Sequence, residues 1–169
     1  TLLAMAIFYS SFAYAQGPAA SFSVDKTTGC NPLSVVFTNN SQNASSFLWS
    51  FGDGTISTDT DPSKIYFNAG SYSVQLIAYS TAGLTDTLLI PDLILVDPMP
   101  VAGFSVVNNL GCKNGDPVVF VNNAQHSTTY FWDFGDGTTS TLTDPVHTYT
   151  SAGTFTVVQL AQNASGCSD

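Results

Sequence analysis

Basic residues are nearly missing from this chain. Lys and Arg together number three of 169, against twelve Asp and Glu, giving a net charge of −9 and a pI near 4.1. So acidic a surface repels phosphate backbones and anionic lipid, which excludes nucleic acid as a partner and disfavours anionic membrane surfaces. Charge of either sign is scarce: 9% of residues are charged, where roughly a quarter is usual. Solvation therefore falls to the many Ser, Thr and Asn. Helical periodicity is lacking as well, with no sustained 3.6-residue pattern after residue 16. Catalytic signatures are absent too: there is no Gly-x-Ser-x-Gly, no His-Glu-x-x-His and no phosphate loop. His126 and His147 stand without a second His or Cys at ligand spacing, so a zinc site has no support. What remains is an apolar chain with a mean hydropathy of +0.17 and twelve Phe. Such a composition buries a core and is not disordered.

The first fifteen residues read differently from the rest. Residues 2–8 (Leu-Leu-Ala-Met-Ala-Ile-Phe) are a short apolar run, followed by Ala13-Tyr14-Ala15 and then Gln16. This is the pattern of a secretory signal peptide with an A-x-A cleavage site, and it is too short to span a bilayer comfortably. It predicts an exported protein whose mature chain begins at Gln16 and carries no integral membrane span. The basic leading region is missing, so residues 1–15 are expected to be an incomplete signal.

One phrase occurs twice. Trp49-Ser50-Phe51-Gly52-Asp53-Gly54 returns 83 positions later as Trp132-Asp133-Phe134-Gly135-Asp136-Gly137. On a strand, aromatics two apart share a face. Asp-Gly tolerates the positive φ of a two-residue hairpin turn, and the aspartate can bond the turn's own amides. The phrase thus reads as strand end plus turn. Its two aspartates fall in different repeats and are not expected to face each other as an acid–base pair.

The repeat extends well beyond the phrase. Phe22-Ser23-Val24 matches Phe104-Ser105-Val106, and Cys30 matches Cys112, both at offset 82. Asp61-Pro62, Tyr66 and Ala69-Gly70 recur at offset 83 as Asp144-Pro145, Tyr149 and Ala152-Gly153. A constant period means two copies of one domain: residues 16–97, a short linker 98–100, and residues 101–169. Pairs such as Val35/Phe37, Phe47/Trp49/Phe51 and Tyr72/Val74/Leu76/Ala78 alternate with period two. Many short strands between turn signals predict an all-β antiparallel sandwich in each copy, with about seven strands. Residues 88–96 are expected to form the last strand of the first copy, with Pro91 marking an edge or bulge. The second copy stops before the counterpart of that strand, so the second sandwich is expected to lack it and to leave a sheet edge unpaired. The proline-bearing linker predicts end-to-end stacking.

Trp-x-Phe-Gly-Asp-Gly, then Asp-Pro, then Tyr and Ala-Gly before an aromatic-x-Val strand, resembles the polycystic kidney disease (PKD) domain family in both copies. The ending Asn-Ala-Ser-Gly-Cys-Ser-Asp resembles copies in secreted proteins of the Bacteroidetes. The resemblance implies an immunoglobulin-like β-sandwich and an extracellular, non-catalytic module of bacterial surface proteins, proteases or polysaccharide-degrading enzymes. The family's Pro-x-His-x-Tyr stands here as Pro145-Val146-His147-Thr148-Tyr149, whereas the first copy has Lys64 in place of the histidine. Simple alternation would bury Gln159 where the first copy has Leu76, so a bulge that turns Leu160 inward is expected instead.

Three cysteines in an exported chain invite pairing. The second copy holds two, Cys112 and Cys167, and the first only Cys30. This predicts a Cys112–Cys167 bridge, with Cys30 an unpaired, partly buried thiol. Asp53, Asp59 and Asp61 offer oxygens to Ca²⁺, but their spacing lacks the ordered ladder of a calcium loop. A solvated loop is the preferred reading, and no cofactor is expected. His147 is expected to hydrogen-bond locally beside Tyr149. Tyr79, Phe67 and Tyr130 are the aromatics that would stack on an extracellular polysaccharide or protein ligand if they lay in one exposed row. Two functions compete: a spacer or adhesion segment of a larger secreted or surface protein, and an accessory binding module of a hydrolase whose catalytic domain lies elsewhere.

Overall fold

A computed structural model describes residues 16–107 and 115–169. The expected signal segment and Cys112 lie outside the described residues. The described residues are all-β and form two sandwiches. In the first, the strands are β1 (Phe22–Val24), β2 (Thr28–Cys30), β3 (Leu33–Asn39), β4 (Ser46–Ser50), β5 (Ile56–Ser57), β6 (Ser63–Tyr66), β7 (Gly70–Tyr79) and β8 (Thr85–Asp97). In the second they are β9 (Phe104–Val107), β10 (Pro117–Asn122), β11 (Thr129–Asp133), β12 (Thr139–Ser140), β13 (Val146–Thr148) and β14 (Val158–Gln162).

The first sandwich faces a three-stranded sheet, β1-β3-β6, against a five-stranded one, β2-β8-β7-β4-β5. Inward residues at every second position supply the core: Val35 and Phe37 from β3, Trp49 from β4, and Val74 and Leu76 from β7 are each fully buried. The rings interlock, with Phe22 edge-on to Trp49 at 5.2 Å and Phe37 against Phe51 at 5.2 Å. Pairing is antiparallel except between β2 and the end of β8, where Cys30 lies opposite Asp97 in a parallel pair. The last strand is longer than expected, and the register of β7 with β8 shifts between Tyr72/Val74, opposite Ile94 and Ile90. Pro91 and Asp92 fall inside that bulge, and Asp92 takes a φ of 50°. The proline thus sits where no ladder hydrogen bond is required of it.

The second sandwich repeats the plan with β13-β10-β9 against β12-β11-β14. Its core centres on Phe120, Trp132 and Phe134. Only the first rung of a counterpart to β8 is present: Gln162 bridges Ser168, and Ala161 and Asp169 exchange two backbone hydrogen bonds. The first half of β7 pairs with β8 alone, since β4 reaches only from Tyr79 to Gln75. Residues 153–157 form no strand, and β14 begins at Val158, opposite Asp133 of β11.

One expectation is overturned on β14. Its register with β11 is regular, with Trp132 opposite Gln159 and Phe131 opposite Leu160. Gln159 is therefore buried, at 7% exposure, and Leu160 faces out. No bulge is needed because the amide is satisfied: its Oε1 accepts from Gly103 N at 2.9 Å, and its Nε2 donates to Asn122 Oδ1 at 2.7 Å. The side chain ties the two sheets together, and a polar group whose oxygen and nitrogen each have a partner is tolerated in a core.

Candidate functional site

The repeated phrase builds the same small constellation in each domain. At the end of β4, Trp49 and Phe51 are buried on one face with parallel rings 6.5 Å apart. The indole N–H, which burial would otherwise orphan, donates to Asp59 O at 3.0 Å, and Trp132 donates to Leu142 O at 2.8 Å. Phe51 N donates to Thr55 O, so the loop is Gly52-Asp53-Gly54, three residues rather than two. The positive φ falls on the two glycines, 82° and 87°, and not on the aspartate. Gly52 is also a point of close approach: a Cβ there would sit 2.5 Å from Ser73 O. Gly135 meets the carbonyl of Thr156 in the same way.

The aspartate caps the loop as expected. Asp53 Oδ1 accepts from Thr55 N at 3.1 Å and from its hydroxyl at 2.6 Å. Asp136 accepts from Thr138 N at 3.0 Å and Oγ1 at 2.6 Å. The second carboxylate oxygen has a partner that sequence reasoning missed. Lys64 Nζ lies 2.6 Å from Asp53 Oδ2, and His147 Nε2 lies 2.7 Å from Asp136 Oδ2. The clue was available, because Lys64 and His147 are spaced by the same 83 positions as the two aspartates. Partial burial opposes ionisation of Asp53, but hydrogen bonds from Lys64 and Thr55, with the ammonium charge, outweigh it and hold the carboxyl below its usual range. For Asp136, the Thr138 hydroxyl leads; against some desolvation, the His147 and backbone bonds add to it and bring the carboxyl down to about 2.

Behind each pair stands a tyrosine. Tyr66 donates to Phe51 O at 3.1 Å, and Tyr149 to Phe134 O at 3.1 Å. Burial first, then the neighbouring aspartate's charge, pushes both phenols up. His147 stacks on Phe134 at 4.2 Å and meets Tyr149 edge-on at 4.4 Å, so its expected place beside Tyr149 is observed. Carboxylate, side-chain nitrogen and hydroxyls are thus committed to one another. The arrangement fixes a turn to a strand and leaves no carboxylate oxygen free of a partner.

The calcium candidates are not brought together. Asp53 is held by Lys64 and Thr55, Asp59 accepts from Ser57 Oγ at 2.9 Å, and Asp61 accepts from Asn39 N at 2.8 Å. Among the described residues, no three His, Cys, Asp or Glu side chains cluster as metal ligands. These carboxylates do not fit a calcium ion, and no role is derived through one. The aromatics do not form a row either. Phe67 is 69% exposed, Tyr79 is half-buried, and Tyr130 packs on the second core. The exposed ring of the second domain is Phe131, 43% exposed and opposite Leu160.

The cysteines pair differently from the sequence reading. Cys167 is bonded to Cys30, with Cα atoms 6.4 Å apart, so the expected Cys112–Cys167 bridge is not formed and Cys30 is not a free thiol. The reason is position. Cys30 ends β2 opposite Asp97, at the exit of the first domain. Cys167 sits in the turn after β14, held by Cys167 N donating to Asn163 Oδ1 at 3.0 Å. The two meet across the junction between the domains.

Both halves of the chain match the model of the PKD domain, over residues 15–90 and 99–169. The chain belongs to the PKD domain family. Over 71 residues, 41% of its length, it is 39% identical to the pre-pro-metalloprotease PrtV of Vibrio cholerae. It is 47% identical over 38 residues, 22% of its length, to the collagenase ColA of Bacillus cereus. These stretches span only 8% and 4% of the two relatives. Among solved structures, the PKD1 domain of Vibrio anguillarum Epp is 31% identical, with a TM-score of 0.42, covering 49% of this chain and 99% of that domain. Among the described residues, no helix is long and apolar enough to cross a membrane.

Proposed function

We propose that residues 16–169 are a non-catalytic segment of a larger secreted or cell-surface protein, with PKD domains at 16–97 and 101–169 joined by the linker 98–100. Residues 1–15 are the signal that exports it. The segment acts as a spacer that holds whatever it joins at a set distance and orientation. The observation that carries this reading is the linker's attachment. Asn31 donates from N to Asp97 O at 3.0 Å and from Nδ2 to Phe67 O at 3.0 Å, while its Oδ1 accepts from Met99 N at 2.9 Å. From the second domain, Asn163 Nδ2 donates to Pro98 O at 3.2 Å. The linker is thus bonded to both domains, unlike a free tether. The occurrence of related domains within a collagenase and a metalloprotease supports the accessory role.

The test is a distance measurement. Spin labels carried on noncanonical residues at Ile56 on β5 and Val146 on β13, both exposed, leave the cysteines untouched. A single narrow distance distribution is expected in the oxidised chain. A broad one would defeat the spacer reading.

A second reading has one observation in its favour. The outer face of β11 and β14 carries a shallow cavity of about 330 Å³ lined by Thr129, Tyr130, Phe131, Leu160 and Gln162. An exposed ring flanked by hydroxyl and amide groups suits a sugar or peptide chain. Retention of the chain on insoluble polysaccharide or collagen, abolished by Phe131→Ala, would favour an accessory binding module over a spacer.

A further inference from the structure

We propose that the Cys30–Cys167 bond is a redox-controlled latch on the orientation of the two domains, and that reducing it frees the joint while both sandwiches stay folded. The proposal concerns the control of the spacer described above and rests on that reading. Its basis is what else holds the junction. Asn163, in the turn after β14, donates from Nδ2 to Pro98 O and to Cys30 Sγ, each at 3.2 Å. Ser165 Oγ donates to Asp97 Oδ2. These bonds are exposed or partly buried, and such contacts are individually weak. A water-accessible cleft of about 190 Å³ opens on the same seam, between Asp97 and Pro98 on one side and His126 and Asn163 on the other.

No apolar cluster bridges the seam among the described residues. The first core is drawn from residues 20–96 and the second from residues 104–157. A small, polar, wet interface allows relative motion of domains by default. The covalent bond is the contact that removes it. Conversely, neither core contains a cysteine among its members, so losing the bond takes no atom from either hydrophobic interior. The chemistry is simple. A dithiol reductant gives up two electrons and two protons to become a cyclic disulfide, the Sγ–Sγ bond breaks, and Cys30 and Cys167 become thiols.

The experiment uses the whole chain labelled at Ile56 and Val146, oxidised and then treated with dithiothreitol, with Cys30→Ser as a second route to the open joint. Hydrogen exchange across β4 and β11 reports whether each sandwich remains folded, and non-reduced peptide mapping reports the pairing. The expected result is loss of the single narrow distance peak on reduction and in Cys30→Ser, with strand protection retained. A peak that stays narrow after reduction overturns the latch and leaves the spacer standing. A distribution already broad in the oxidised chain overturns both. Loss of strand protection on reduction overturns the latch by making the bond a folding requirement. A map showing Cys112 joined to Cys167 overturns it at the first step.

Discussion

Gly52 and Gly54 offer an internal control on what the repeated phrase requires, because they share a backbone conformation and differ in surroundings. Both take positive φ, 82° and 87°. An alanine forced into that region costs about 1–2 kcal/mol. At Gly54 nothing lies within 4 Å of the added Cβ, so Gly54→Ala is expected to cost that amount and no more. At Gly52 the Cβ would stand 2.5 Å from Ser73 O and 3.0 Å from Ser73 N. Both atoms are backbone of β7, whose flanking residues Tyr72 and Val74 pair with Ile94 and Ile90 of β8, and backbone so held cannot yield as a side-chain tip would. Overpacking of this kind adds about 1–3 kcal/mol. Gly52→Ala is therefore expected to cost about 2–5 kcal/mol in all, a large share of the 5–15 kcal/mol that ordinarily stabilises a domain. At about 4–8 °C per kcal/mol for a domain this small, the two variants separate clearly in a thermal scan. Peptide-resolved hydrogen exchange assigns the loss to the first domain. Gly135→Ala and Gly137→Ala repeat the comparison in the second, where only Gly135 meets backbone, that of Thr156. Equal costs at the two positions of either pair would refute the steric reasoning and leave φ alone as the requirement.

Three further outcomes are expected. The Asp136 carboxyl is ionised down to about 2 in the folded chain, against 3.8 ordinarily. Its contribution is then complete above about pH 4 and lost as pH falls toward 2. Asp136→Asn should flatten the stability–pH curve of the second domain in that window, and parallel curves for variant and wild type would count against the turn's electrostatic lock. Tyr66→Phe and Tyr149→Phe each delete one hydrogen bond to a motif carbonyl, and each should lower stability by about 0.5–1.5 kcal/mol in urea unfolding; no loss in either would show the bond to be idle. Gln159→Leu installs the residue of the first copy but strands Gly103 N and one bond of Asn122. An orphaned donor costs about 1–3 kcal/mol and the added apolar atoms return about 0.8 kcal/mol per buried methylene, so the variant should be no more stable than wild type. A clear rise in its midpoint would show that the amide is a burden the core tolerates.

The limits of the sequence reading follow from which contacts are local and which are not. The turn phrase was legible because its partners lie within a few residues: Trp49, Phe51, Asp53 and Thr55 are one strand end and one loop, and period-two alternation alone places the rings. The nitrogen partner of the aspartate was less plain, because Lys64 and His147 differ chemically, and only their common spacing shows that they hold the same post. Gln159 was misread because its rescue comes from across the sandwich, from Gly103 ahead of β9 and Asn122 at the end of β10. Alternation alone places the side chain inside, and the cost of burying an unpaired amide, which argues the other way, does not arise once both partners are in place. The disulfide failed for a related reason. Counting cysteines within each repeat treats a domain as the unit of pairing, but Cys30 and Cys167 each stand at the end of their own domain that faces the other. Such a pair is invisible to any argument made one repeat at a time. Of the two bonded cysteines, Cys30 keeps its counterpart in Cys112 while Cys167 does not: Leu84 holds its position in the first copy, where it is exposed. Differences between copies, more than the phrase they share, mark where this chain does something its repeat unit does not.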